Sequence, residues 1–158
     1  FAPVIALVSL AGCEQAKPVY VDGASVRLNA NPDNPAAAYF TIHGGASAVT
    51  LRGVETDAAV KLEMHESVMR DGMMSMGPID TVDVPAGSTV AFAPAGKHVM
   101  LWKINPQAIA AGKMQFRFLF SNGDRIVVDA VILGPNGKPT GSGQAPTAGT
   151  TTTETVDH

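Results

Sequence analysis

The chain has 158 residues, 46% of them hydrophobic and 16% charged, and a net charge of -3. This is enough apolar chain for one cored domain and too little for two comfortable ones. It carries no basic field of the kind a phosphate backbone requires, which argues against nucleic acid as a partner. The only cysteine is Cys13, so no intramolecular disulfide and no zinc site built on two or more thiolates can form.

Residues 1–10 are apolar and uncharged, and small residues follow at Ala11 and Gly12. A run this short does not span a bilayer and fits the hydrophobic region of a cleaved signal peptide over 1–12. The charged region that normally precedes such a run is missing, so the true start is expected further upstream. Leu10-Ala11-Gly12-Cys13 closely resembles the lipobox of bacterial lipoproteins, in which the cysteine is lipidated and becomes the first mature residue. Cys13 is therefore the expected lipidation site, with 13–18 as a tether that holds the domain at a membrane. If Cys13 is consumed in this way, the folded domain has no thiol, and a blue-copper centre, which needs one beside two His, is excluded.

From residue 19, β-like runs follow at short intervals between Gly, Pro, Asn and Asp: 19–28, 37–43, 48–54, 60–68, 81–84, 89–92, 98–104, 114–120 and 125–133. The pattern predicts an all-β domain over 19–133. In the run at 114–120, Met114, Phe116, Phe118 and Phe120 alternate with Gln115, Arg117 and Leu119, which predicts an aromatic inner face and a mostly polar outer one. Asn122-Gly123 then signals a hairpin joining the last two strands antiparallel. Pro106 to Ala111 forms at most one helical turn, ended by Gly112. From Gly134 to His158 the composition turns to Gly, Pro, Ser, Thr and Ala, which predicts a disordered tail.

The chemistry sits in four residues. If 98–104 is a strand, His98, Met100 and Trp102 share one face, while Val99 and Leu101 take the other. Upstream lie His65 and Met76, of the same two side-chain kinds. Two imidazoles and two thioethers make a soft, uncharged ligand set, which suits Cu(I) far better than calcium, magnesium or manganese. Thioethers have no proton to lose, so only protonation of the imidazoles weakens such a site as pH falls. Alternation points Met64 into the core, and Met69, Met73 and Met74 are also expected to be core filler. His43 is expected to be structural, and His158 is given no role. Glu63 and Glu66 flank His65 and are expected to be solvent-facing or loop charges rather than partners that orient the ring.

The order H-x10-M-x21-H-x-M, formed by His65, Met76, His98 and Met100, is the signature of periplasmic copper chaperones associated with the Cu(A) centre, and the chain resembles that PCuAC family letter for letter. Similar too are His65-Glu66 ahead of Met73-Met74-Ser75-Met76, then Val84-Pro85-Ala86-Gly87, His98-Val99-Met100-Leu101 and Phe116-Arg117-Phe118. The resemblance thus covers the whole of the predicted domain. It departs where many members follow the second His and Met with a further Met and a Gly; here stand Trp102 and Lys103.

The resemblance implies a cupredoxin-like Greek-key β-sandwich, with a Cu(I) site built from a loop around Met76 and strands carrying His65, His98 and Met100. It implies a periplasmic, membrane-anchored metallochaperone rather than an enzyme. Such a protein delivers one Cu(I) to the Cu(A) site of cytochrome c oxidase subunit II, alongside a thiol-containing copper chaperone. The alternative with the same site is a copper buffer or resistance lipoprotein without a dedicated recipient.

Overall fold

The computed structural model describes residues 15–141. The expected signal segment, Cys13 and residues 142–158 lie outside the described residues. Ten strands and one short helix follow in order. They are β1 (Tyr20–Arg27), β2 (Ala36–His43), β3 (Val49–Glu55), β4 (Ala59–Arg70), β5 (Met73–Pro78), β6 (Val82–Val84), β7 (Thr89–Phe92), β8 (Lys97–Ile104), α1 (Pro106–Ala111), β9 (Lys113–Phe120) and β10 (Arg125–Leu133).

The strands form one sheet in the order β5-β4-β8-β7-β2-β1-β10-β9-β3-β6, with β2 also pairing β8. Most pairs are antiparallel, but β1 runs parallel to β10 and β7 to β8. The sheet folds over on itself. Phe40 of β2 stacks on its neighbour Phe92 at 4.2 Å between ring centroids and meets Phe118 of β9, not a sheet neighbour, edge-on at 4.7 Å. Offset and edge-on aromatic contacts of this kind add to the area the rings remove from water. The alternation expected in 114–120 holds, with Met114, Phe116, Phe118 and Phe120 all buried.

Two departures from regular strand show how the sequence bends the sheet. In β1 the alternation slips by one residue between Asp22 and Ser25, where the register with β2 also shifts. Gly23 supplies φ +63° there, and Ala24 returns to the core. After β2, Gly44 and Gly45 pass so close to other backbone that an added Cβ would lie 2.4 Å from the Pro85 carbonyl oxygen and 2.3 Å from that of Lys17. His43, at the end of β2, stacks on Tyr20 at 4.3 Å and places Nε2 3.0 Å from an Asp22 carboxylate oxygen. That is a structural role.

Helix α1 starts with Asn105 as its cap, the Asn105 side-chain oxygen accepting from the Gln107 N–H at 2.9 Å, and ends at Gly112 in the left-handed region. Among the described residues no helix is long and apolar enough to cross a membrane. β9 and β10 pair antiparallel as the Asn122-Gly123 signal predicted, although only Gly123 takes a positive φ.

The start of the expected tail at Gly134 is corrected. Pro139 bridges Leu133, the Thr140 N–H donates to the Ile132 carbonyl at 2.9 Å, and the Thr140 hydroxyl donates to the Ile109 carbonyl at 2.7 Å. The fold therefore runs on to Gly141. The tether is shorter than expected for a related reason, since the Lys17 carbonyl already accepts from the Ala46 N–H at 2.9 Å.

Lys103 has φ +54° near the end of β8. The left-handed region costs a non-glycine residue about 1–2 kcal/mol, and this is the position where the family resemblance sets a Gly. Part of the gain from glycine is offset by its larger loss of chain entropy, about 0.5–1 kcal/mol. The substitution Lys103→Gly is accordingly expected to stabilise the domain by roughly 0.5–1 kcal/mol, read from the midpoint of urea unfolding. An unchanged or lower midpoint would show that no strain is stored there.

Candidate metal centre

The four predicted ligands lie on the three strands at one end of the sheet, β5, β4 and β8. In the antiparallel β4–β8 pair His65 stands directly opposite His98, and Glu63 opposite Met100. Residues opposite each other share a face and hold their Cβ atoms about 4.5–5.5 Å apart. Period-two alternation puts Lys61, Glu63, His65 and Ser67 of β4 on the same face as His98, Met100 and Trp102 of β8. Met64, Val99 and Leu101 take the other face and are buried in the core. The expected inward direction of Met64 is thus observed.

The third strand corrects the sequence reading. Met76 was expected in a loop, but it lies within β5, which pairs with β4 through a two-residue hairpin at Asp71-Gly72. Both turn residues have positive φ, +50° and +75°, the conformation a tight hairpin demands. Met76 pairs with Ser67 and so joins the face of His65. Met69, Met73 and Met74 are not core filler: they are 65%, 75% and 55% exposed. Asp71-Gly72 was the signal that could have revealed the hairpin.

The hydrogen bonds around the two imidazoles fix which nitrogen of each is free. His98 is buried, with 8% of its surface exposed, although it faces away from the main core. Its Nδ1 lies 3.0 Å from the Gly96 carbonyl oxygen. Only a protonated Nδ1 can donate there, which leaves the Nε2 lone pair free. That same carbonyl accepts from the Ser67 N–H at 3.1 Å, tying the ring to β4.

His65 shows the mirror arrangement. Its Nε2 is 3.1 Å from a Glu63 carboxylate oxygen, so Nε2 carries the proton and Nδ1 keeps its lone pair. Nδ1 is the one buried side-chain nitrogen or oxygen without a hydrogen-bond partner among the described residues. Native folds rarely leave a buried polar atom unpaired, and each case calls for an explanation. The ring centroids of His65 and His98 are 6.0 Å apart. With metal–imidazole bonds of about 2 Å, an ion between the two rings fits that separation.

Glu63 faces solvent as expected but, against expectation, is also the partner of His65. Its carboxyl is held below the ordinary value first by the hydrogen bond with Lys61 and next by that with His65. The Lys61 ammonium lies 2.9 Å from Glu63 and 4.6 Å above the Trp102 ring. Trp102 therefore packs under Lys61, two same-face pairs along the ladder from the imidazoles. Glu66 takes the other face, in an ion pair with Lys97 at 2.8 Å.

Among the described residues no three His, Cys, Asp or Glu side chains converge as a metal site. Besides the two imidazoles, this face carries the thioethers of Met76 and Met100 and the Glu63 carboxylate, which Lys61 and His65 engage. Imidazole and thioether donors suit soft metal ions.

The β-fold itself is shared with solved structures. The copper-bound PCuAC domain from PmoF2 superposes with a TM-score of 0.60 at 18% identity, covering 77% of this chain and 97% of that one. The apo PCuAC domain from PmoF1 gives 0.59 at 20% identity, with 77% and 98% covered. Apo-DR1885 from Deinococcus radiodurans gives 0.54 at 22%, with 84% and 91% covered. The fold is that of the PCuAC domains, cupredoxin-like and all-β, as the resemblance implied.

Residues 19–132 match the model of the family described as "Putative lipoprotein LpqE-like", and the chain belongs to that family. The curated relative "Putative lipoprotein Lxx21020" from Leifsonia xyli subsp. xyli is 32% identical over 80 residues. The match spans about half of each protein, 50% of this chain and 48% of that one.

Proposed function

We propose that this protein is an extracytoplasmic Cu(I) carrier that binds one ion through His65, Met76, His98 and Met100 and passes it on. The observation that carries the reading is the buried, unpartnered Nδ1 of His65 opposite His98. A site prepared for an ion leaves a lone pair unpaired in this way, whereas the structural His43 pairs Nε2 with Asp22 and leaves no buried nitrogen without a partner.

The ligands divide in a manner suited to transfer. His98 and His65 lie on inner strands with little exposure, while Met76 is 53% exposed on edge strand β5. With neutral ligands Cu(I) keeps its positive charge and no thiolate holds it, so a site richer in thiolate can draw the ion away over the open side. We assign the recipient as the Cu(A) site of cytochrome c oxidase subunit II, on the resemblance of the motif, with Cys13 as the lipid anchor on the periplasmic side. The lipoprotein descriptions of the family and of the Leifsonia relative support the anchor. Nothing in this role requires a catalytic step.

Anaerobic titration with Cu(I) against a chromophoric chelator tests the reading. One tight equivalent is expected, weakened in Met100→Leu, and released to a copper-free Cu(A) domain when the two are mixed. Failure to compete for Cu(I) would remove the carrier reading. Binding without transfer would leave a buffer.

A further inference from the structure

The Asp71-Gly72 hairpin carries more thioethers than the four-ligand site uses. Met69 stands directly opposite Met74 in the β4–β5 ladder, and Met76 is two residues further along β5 on the same face. The Ile79 N–H donates to the Met64 carbonyl at 3.0 Å, which places the hydrogen-bonded pairs of this ladder at the even positions of β4. Met69 and Met74 therefore form a non-hydrogen-bonded pair, the kind in which facing side chains come closest. Met73, opposite Arg70, points to the other face.

These three side chains remain in water, with 65%, 55% and 53% of their surface exposed for Met69, Met74 and Met76. Exposed apolar chains give the hairpin no burial energy, and strand formation favours β-branched and aromatic residues over Met. What Met alone contributes is a soft, proton-free sulfur on a flexible stem.

We infer that Met69, Met74 and Met76 form a second, outer site for a soft monovalent cation, a three-thioether landing from which the ion moves to His65 and His98 through the shared Met76. The inference rests on the carrier reading above for its direction of transfer. The outer site itself needs only the hairpin. Three neutral sulfurs hold the ion less firmly than a set with two imidazoles, so the outer site fills second at equilibrium while facing solvent first.

The test uses the full chain labelled with ¹³C at the methionine methyl groups and titrated with Ag(I), a redox-inert stand-in for Cu(I). The first equivalent is expected to move the ring resonances of His65 and His98 and the methyls of Met76 and Met100. The second is expected to move the methyls of Met69 and Met74, and that of Met76 further. The double variant Met69→Leu/Met74→Leu preserves volume, and it should keep the first event and lose the second.

Imidazole shifts with the Met69 and Met74 methyls unmoved would overturn the outer site and leave the carrier reading intact. Methyl shifts with silent imidazoles would do the reverse. Methyl shifts that follow protein concentration rather than Ag(I) would make the hairpin a self-association face and overturn the site.

Discussion

Replacing His98 by Ala is expected to lower Cu(I) affinity by more than about 100-fold, since loss of a group that merely orients a metal ligand costs about 10–100-fold and His98 is assigned as a ligand itself. The Gly96 carbonyl holds the His98 proton on Nδ1, which keeps the Nε2 lone pair free for a metal. The alanine leaves a hole where the buried imidazole stood, and some loss of stability will accompany it. His98→Gln therefore serves as the control: it fills most of the space and keeps a polar atom but no imidazole. Both variants should lose the tight equivalent in chelator competition while keeping cooperative thermal unfolding. A glutamine variant that binds as well as wild type would exclude His98 from the ligand set.

That expectation could be formed early because the strand around His98 carries its own periodicity. Val99 and Leu101 are buried on one side while His98, Met100 and Trp102 take the other, as alternation requires. The hairpin was not legible in the same way. β5, with the sequence MMSMGP, has no alternation and buries nothing, since an edge strand on a tight turn is held by its backbone ladder and the φ preferences of Asp71-Gly72. Met-rich composition reads as core filler wherever periodicity is silent, which is why Met69, Met73 and Met74 were placed inside.

The segment from Gly134 to Gly141 was misjudged for a related reason. Composition registers missing apolar residues but cannot register backbone hydrogen bonds such as that from Thr140 to Ile132. The His65–His98 pairing rests on the register of β4 against β8, which joins segments some thirty residues apart in sequence; the motif spacing encodes it but does not explain it.

Glu63 is the residue whose role the structure changed most. Glu63→Ala is expected to weaken Cu(I) binding by roughly tenfold, at the lower end of the range for partners that orient a ligand because the carboxylate is largely open to solvent. Without that acceptor the proton of His65 is no longer held at Nε2, and the ring can take the tautomer in which Nδ1 is protonated and cannot bind a metal. Glu63→Gln retains an acceptor oxygen and should recover most of the affinity.

The pH dependence follows from the sign of the carboxyl shift. Hydrogen bonds from Lys61 and then His65 depress the folded value below the ordinary 4.5. Glu63 is therefore ionised and able to orient His65 throughout the neutral and mildly acidic range. Its contribution is lost only as pH falls through that depressed value. On mild acidification of wild type, no weakening of copper binding should come through Glu63.

¹⁵N spectra of the His65 ring separate this role from a merely structural one. In wild type the proton should sit on Nε2, in Glu63→Ala it should be shared between the two nitrogens, and in Glu63→Gln it should return to Nε2. A Glu63→Ala variant that binds copper more weakly while His65 keeps its tautomer would show that Glu63 acts through the stability of β4 and not through the imidazole.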